Sequence, residues 1–158
     1  MDSPQVSLSF LVSQFGTHAA HCFESELSAI GLRVQDAGLI RMLGAKPGMT
    51  QIEIAETFGV LPSRLVVLID GLEYLGLVER KRDISDRRKV RVFLTSKGKK
   101  AAGTIVELTK SMDSRLFRAL GEKESRQLGV LLRKLAADQG LQPGVHPAFP
   151  KIIGGEQT

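Results

Sequence analysis

Residues 76–98 read Gly76-Leu77-Val78-Glu79-Arg80-Lys81-Arg82-Asp83-Ile84-Ser85-Asp86-Arg87-Arg88-Lys89-Val90-Arg91-Val92-Phe93-Leu94-Thr95-Ser96-Lys97-Gly98, and across this stretch the spacing of apolar residues changes twice. On its N-terminal side Leu65, Leu68, Ile69, Leu72 and Leu75 recur at intervals of three and four, the period of a helix. Gly76 supplies a left-handed stop. Residues 78–82 and 89–94 then read as strands, with Val90, Val92 and Leu94 sharing one face of the second. The polar run from Asp83 to Arg88 is too long for a two-residue turn, so the hairpin has an extended tip, a wing. From Ser96 the helical period returns through Ala101, Ile105, Leu108, Met112 and Leu116.

Upstream of the hairpin, Thr50-Gln51-Ile52-Glu53 forms a capping box: the Thr50 hydroxyl accepts from the Glu53 amide while the Glu53 carboxylate reaches back. A helix therefore starts at Gln51 and stops near Gly59. The next starts at Pro62 and Ser63 and runs to Leu75. Two helices, the first short, joined by a tight glycine-containing turn, are a helix-turn-helix. Before them, residues 6–30 predict one long amphipathic helix with a stripe of Leu8, Leu11, Phe15, Ala19, Cys22 and Phe23. A shorter helix follows from Gln35 to Leu43, and residues 44–48 break it. Leu128, Leu131, Leu132 and Leu135 mark a last helix. The fold class is mainly α with a small β-wing: a winged helix-turn-helix with long terminal helices. The expected organisation is a long N-terminal helix in 1–34, a winged helix-turn-helix domain in 35–95, C-terminal helices in 96–138 and a loosely ordered tail in 139–158.

Composition narrows the partners. The 158 residues are 42% hydrophobic and 25% charged, the profile of one ordinary globular domain with an attached element. No apolar run approaches the ~20 residues that span a bilayer. The start of the chain has no basic signal-peptide region, so no membrane partner and a cytoplasmic location are expected. The single cysteine, Cys22, and three histidines exclude an intrachain disulfide and a multi-cysteine zinc site. No metal, cofactor or enzymatic constellation is expected: phosphate-cradling loop, nucleophile elbow and paired-histidine zinc helix are all missing. The net charge is +5, yet the segment from Glu79 to Lys100 alone carries +7 and the remainder −2. A basic segment on a mildly acidic body is the footprint of a polyanion binder.

Taken together, Gly76-Leu77-Val78-Glu79-Arg80, then Asp83 to Asp86-Arg87-Arg88, then Val90-Arg91-Val92-Phe93-Leu94-Thr95 and Lys97-Gly98 resemble the wing pattern of the MarR (multiple-antibiotic-resistance regulator) family, close to GLV-x-R…D-x-R-x-x-x-V-x-LT-x-x-G. The resemblance extends over about residues 6–137. It implies a transcription regulator, often a repressor, that binds duplex DNA as a homodimer, with dimerisation helices in 1–34 and 96–138 and a DNA-binding domain in 35–95. It also implies recognition helices in successive major grooves, wings in flanking minor grooves, and often a small-molecule effector that weakens binding. The alternative is a winged-helix interaction or ligand-sensing module without sequence-specific DNA binding.

The candidate DNA-binding residues fall in two places. In the wing, Asp86 and Arg88 are two apart, so the carboxylate can orient the guanidinium as a planar fork for a narrow minor groove. The resemblance gives Arg88 that part and places Arg80 at the wing base near the phosphates; Arg82 and Lys89 extend the basic surface. On the recognition helix, Ser63 and Arg64 stand at the N-terminal end as base or phosphate readers. Val66, Val67 and Gly71 occupy positions where the family has small polar or basic residues, and Val67 either meets a thymine methyl or is packed. A ligand site is expected around His18, His21 and Cys22 on the first helix, because His18 and Cys22 are four apart and share a face; the other reading is that Cys22 is a buried small hydrophobe in the interface.

Overall fold

The structure, a computed structural model, describes residues 6–146. The helices are α1 (Leu8–Ala29), α2 (Val34–Ala45), α3 (Gln51–Phe58), α4 (Pro62–Tyr74), α5 (Ser96–Leu116) and α6 (Glu122–Asp138); the strands are β1 (Met49–Thr50), β2 (Val78–Arg82) and β3 (Val90–Leu94). The strands form one antiparallel sheet in the order β1-β3-β2, with Met49 opposite Val92 and Arg80 opposite the other side of Val92. Strand β1 is an addition to the sequence reading. So is the C-terminal end of α2, which runs through Gly44 to Ala45 before the chain breaks.

One core holds the lobe together. Leu39, Ile40 and Leu43 of α2 meet Ile54, Ala55 and Phe58 of α3 and Leu65, Leu68, Ile69 and Leu72 of α4; Val78, Val92 and Leu94 close it from the sheet. Each of these helices gives its apolar stripe to this core, which is the main source of its stability. The local signals agree with it. Thr50 Oγ1 accepts from the Glu53 amide at 3.2 Å and Glu53 Oε2 accepts from the Thr50 amide at 2.7 Å. At the start of α2, Asp36 is only 2% exposed, and its carboxylate accepts from the Arg33 amide at 2.8 Å and from the Arg33 guanidinium at 2.9 and 3.0 Å. A buried carboxylate is tolerated when paired and hydrogen-bonded in this way.

The terminal helices are different. Leu27 is the buried residue of α1, and α6 has none. Helix α1 lies on α5 through an Arg115–Glu26 ion pair, and Phe15 meets the ring of Phe117, the residue that caps the end of α5, with ring centres 5.4 Å apart. Leu8, at 73% exposure, Leu11 and Phe15 on α1 and Val130, Leu131 and Leu135 on α6 face outward. Of the tail, Val145 rests against the core; residues 147–158 lie outside the described residues.

Helix α5 joins the lobe along α2, where Ile105 is buried in the shared core, and again at its own start. Thr95 caps α5 by accepting from the Gly98 amide at 3.0 Å, donates its hydroxyl proton to the Gly76 carbonyl at 2.7 Å, and donates its amide to the Leu77 carbonyl at 3.1 Å. Helix α5 then passes so close to that carbonyl that a Cβ at Gly98 would lie 1.9 Å from it. This is the physical reason for the glycine three residues after the threonine. We predict that Gly98→Ala destabilises the protein by about 1–3 kcal/mol or more, the cost of overpacking, while Gly103→Ala, with open space around it, is neutral or stabilising. Chemical denaturation measures both, and equal midpoints for the two variants would contradict the packing described.

Candidate nucleic-acid interface

The outward face of α4 follows from its inward one. With Leu65, Leu68, Ile69 and Leu72 buried, Ser63, Val67 and Asp70 face solvent. Val67 is 71% exposed, so it is a surface residue and not packed. Ser63 is exposed, and Arg64 and Val66 are half-buried beside it. Gly71 leaves room for Arg33, whose Nη2 would be 3.8 Å from a Cβ there.

Arg80 is held inside the fold. Its Nη2 donates to Asp70 at 2.6 Å, its Nη1 donates to Glu73, its Nε donates to Gln51 at 3.3 Å, and its amide donates to Glu73 at 3.2 Å. The residue expected near the phosphates thus fastens α4, β2 and the start of α3 to one another. It also neutralises one of the two negative charges that α4 would otherwise present.

The wing has an internal hub that sequence reasoning missed. The Arg91 guanidinium donates to the Asp83 carboxylate and, at 2.7 Å, to the Gly48 carbonyl. Asp83 Oδ1 in turn accepts from the Ser85 amide at 2.7 Å and from the Asp86 amide at 3.2 Å. The Ser85 hydroxyl, then Arg91, then those amides hold the Asp83 carboxyl well below the usual carboxylate range. Gly48 closes the base: its φ is +76° and a Cβ would meet the Phe93 ring at 2.9 Å. The signal was present in the polar Asp83-x-Ser85 spacing, an Asx-turn pattern.

Beyond this hub the wing reaches into solvent. Arg88 is 93% exposed on its side chain, and its Nε donates to Asp86 Oδ1 at 3.3 Å, as does its amide at 3.1 Å. Asp86 does orient Arg88, through one oxygen and not as a fork. Arg82, Arg87 and Lys89 are exposed and form no ion pair among the described residues.

The basic segment is therefore not one patch. Lys97 donates to the Leu75 carbonyl at 2.8 Å. With Lys100 it borders a hollow of about 310 Å³ lined by Ile30, Leu32, Leu77 and Ala101, whereas Lys99 points to the opposite side of α5, near Leu43 and Pro47. Of the residues singled out on α1, His18 Nε2 lies 3.7 Å from Cys22 Sγ, while His21 stands exposed apart from them. Among the described residues no group of three or more His, Cys, Asp or Glu side chains is placed to hold a metal ion, and no helix is long and apolar enough to cross a membrane.

Residues 30–89 match a model of the MarR family. The chain is 30% identical over 112 residues to the HTH-type transcriptional regulator BilQ of Clostridium symbiosum, covering 71% of this chain and 78% of that one. It is 27% identical over 131 residues to the HTH-type transcriptional repressor Rv2887 of Mycobacterium tuberculosis, covering 83% and 94%. Its fold superposes on the crystal structure of Rv2887 in complex with salicylic acid with a TM-score of 0.66 at 26% identity, over 83% of this chain and 97% of that one.

The Asp83 hub has a definite pH signature. Because its carboxyl titrates below the ordinary range, its contribution is complete above the unfolded value near pH ~4 and is lost only as pH falls through the depressed folded value. We expect the wing to be insensitive to pH between ~5 and 8 as far as this group is concerned. Asp83→Asn places an amide against Arg91, so the Ser85 and Asp86 amides should exchange faster and DNA affinity should fall while the core melts as before. Hydrogen exchange unchanged in the variant would show that Asp83 does not organise the tip.

Proposed function

The chain belongs to the MarR family of winged-helix transcription regulators, and we propose that it works as a homodimer that lays α4 of each subunit in a major groove and a wing in each flanking minor groove. The operator is pseudo-palindromic, with half-site centres about one helical turn apart. The observation that carries this reading is the division of the cations. Arg80 and Arg91 are engaged inside the lobe, while Arg82, Arg87 and Lys89, with Arg88 held by Asp86, stand outward at the wing tip. On α4, Ser63, Arg64 and Val67 take the reading positions.

Residues 35–95 act as the DNA-binding lobe, and α1, α5 and α6 as the dimerisation part. The outward apolar faces of α1 and α6 support this, since a monomer leaves them in water. Repression in the cytoplasm fits a protein similar to Rv2887, itself described as a repressor. That relative binds salicylic acid, and an aromatic carboxylate suits the hollow beside Lys97 and Lys100, with its apolar walls and cationic rim. The hollow sits between the α1–α2 turn, the α4–β2 turn and α5, so a ligand there biases the angle between lobe and dimer. His18, His21 and Cys22 remain a second ligand locus, on a face that the partner subunit covers.

Sedimentation should show a dimer at micromolar concentration; a monomer would remove the proposed assembly. Arg88→Ala should lower DNA affinity by roughly 1–3 kcal/mol, and Asp86→Ala by less. With valines where polar readers are usual, phosphate contacts dominate, and affinity should fall steeply between ~50 and 200 mM salt. A shallow salt slope with wild-type binding by Arg88→Ala would exclude the wing from the interface.

A further inference from the structure

The wing tip carries one residue that its charge does not explain. Ile84 is fully exposed, with its whole side chain in solvent, between the buried Asp83 and Ser85. A lone exposed aliphatic is common on protein surfaces; the setting of this one is not. The Asp83 amide donates to the Lys89 carbonyl at 2.9 Å and the Lys89 amide to the Asp86 carbonyl at 2.9 Å, closing the tip. The Asp83 carboxylate takes the amides of Ser85 and Asp86. The backbone on both sides of Ile84 is thus held before anything binds, so little backbone ordering remains to oppose a contact there. Arg82, Arg87, Arg88 and Lys89 of the same loop are all exposed, and the loop's acid that is not buried, Asp86, is engaged with Arg88. A surface of that charge selects a polyanion.

We propose that Ile84 is an apolar wedge that enters the minor groove beside Arg88 and unstacks the base step beneath each wing, so that the deformability of that step contributes to operator choice. The inference rests on the wing docking proposed above. Its chemistry is that of aliphatic side chains that lever apart base steps from the minor groove while cations hold the flanking phosphates. Pyrimidine–purine steps unstack most easily and should be preferred under the wings.

The probe is a duplex selected from a random pool by the full-length chain, with 2-aminopurine placed at the steps under the wings. Wild-type protein at saturation should raise the 2-aminopurine fluorescence. Ile84→Ser should bind about tenfold more weakly, the effect of losing one buried aliphatic side chain, and should leave the fluorescence low even at saturation, whereas Ile84→Leu restores both. Arg88→Ala should lower affinity yet still raise the fluorescence when saturating. Because Ile84 touches no core residue, equal melting temperatures confirm that the variants are folded. Wild-type affinity and fluorescence for Ile84→Ser, with Arg88→Ala weakened, would overturn the wedge and leave wing docking standing, as would a wild-type complex without a fluorescence rise. Wild-type binding by both variants would overturn wing docking itself.

Discussion

The tightest contact in the molecule is at the backbone carbonyl of Leu77, where the start of α5 is pressed against the turn between α4 and β2. It lies where α4 has ended, β2 is about to begin, β3 has come back and α5 starts. Thr95 grips it from the end of β3, and Gly98 brings α5 against it with no space for a side-chain carbon. A contact between backbones has no rotamers to absorb strain, and close-packed interiors transmit displacement instead of damping it. A shift of the start of α5 therefore moves the root of the wing and the end of α4 together. Leu75 and Leu77, on either side of Gly76, also line the hollow beside Lys97 and Lys100, so that hollow lies against this tight contact.

Electrostatics is arranged around the same lobe by cancellation. Asp70 and Glu73 lie on the side of α4 that faces away from the core, where uncompensated they would repel phosphate. Arg80 sits between them. Pairs whose carboxylates stand in solvent add little to stability, ~0–1 kcal/mol each. Their effect is on position and charge: the guanidinium ties helix to strand and cancels one of the two carboxylate charges.

Much of this was legible in the chain itself. The Thr50–Glu53 box, the stop at Gly76, the change of period at Val78 and its return at Ser96 are each local signals, and helix and strand bounds follow them closely. Strand β1 was not legible, because two residues have no periodicity and its existence depends on Gly48 and Arg91 meeting from distant parts of the chain. Charge was legible as a sum and not as a distribution. Ten cations between Arg80 and Lys100 look alike in a sequence, but Arg80 and Arg91 have carboxylate partners that only the fold supplies, and Lys97 has a carbonyl. The role of Val67 was open for the same reason: exposure on a short helix depends on which neighbours the core takes.

The construction of the wing has a bearing on how such a protein diversifies. Its shape is set by Gly48, Asp83, Ser85 and Arg91, through backbone amides and two buried or half-buried side chains. The side chains of Ile84, Arg87, Arg88 and Lys89 add nothing to that scaffold beyond the Arg88–Asp86 contact. Mutation at those four positions is thus nearly free of a folding penalty, and what they touch can drift while the architecture stays constant. Duplicated copies of a gene with this design can acquire separate targets by substitutions at a loop apex, without passing through unstable intermediates.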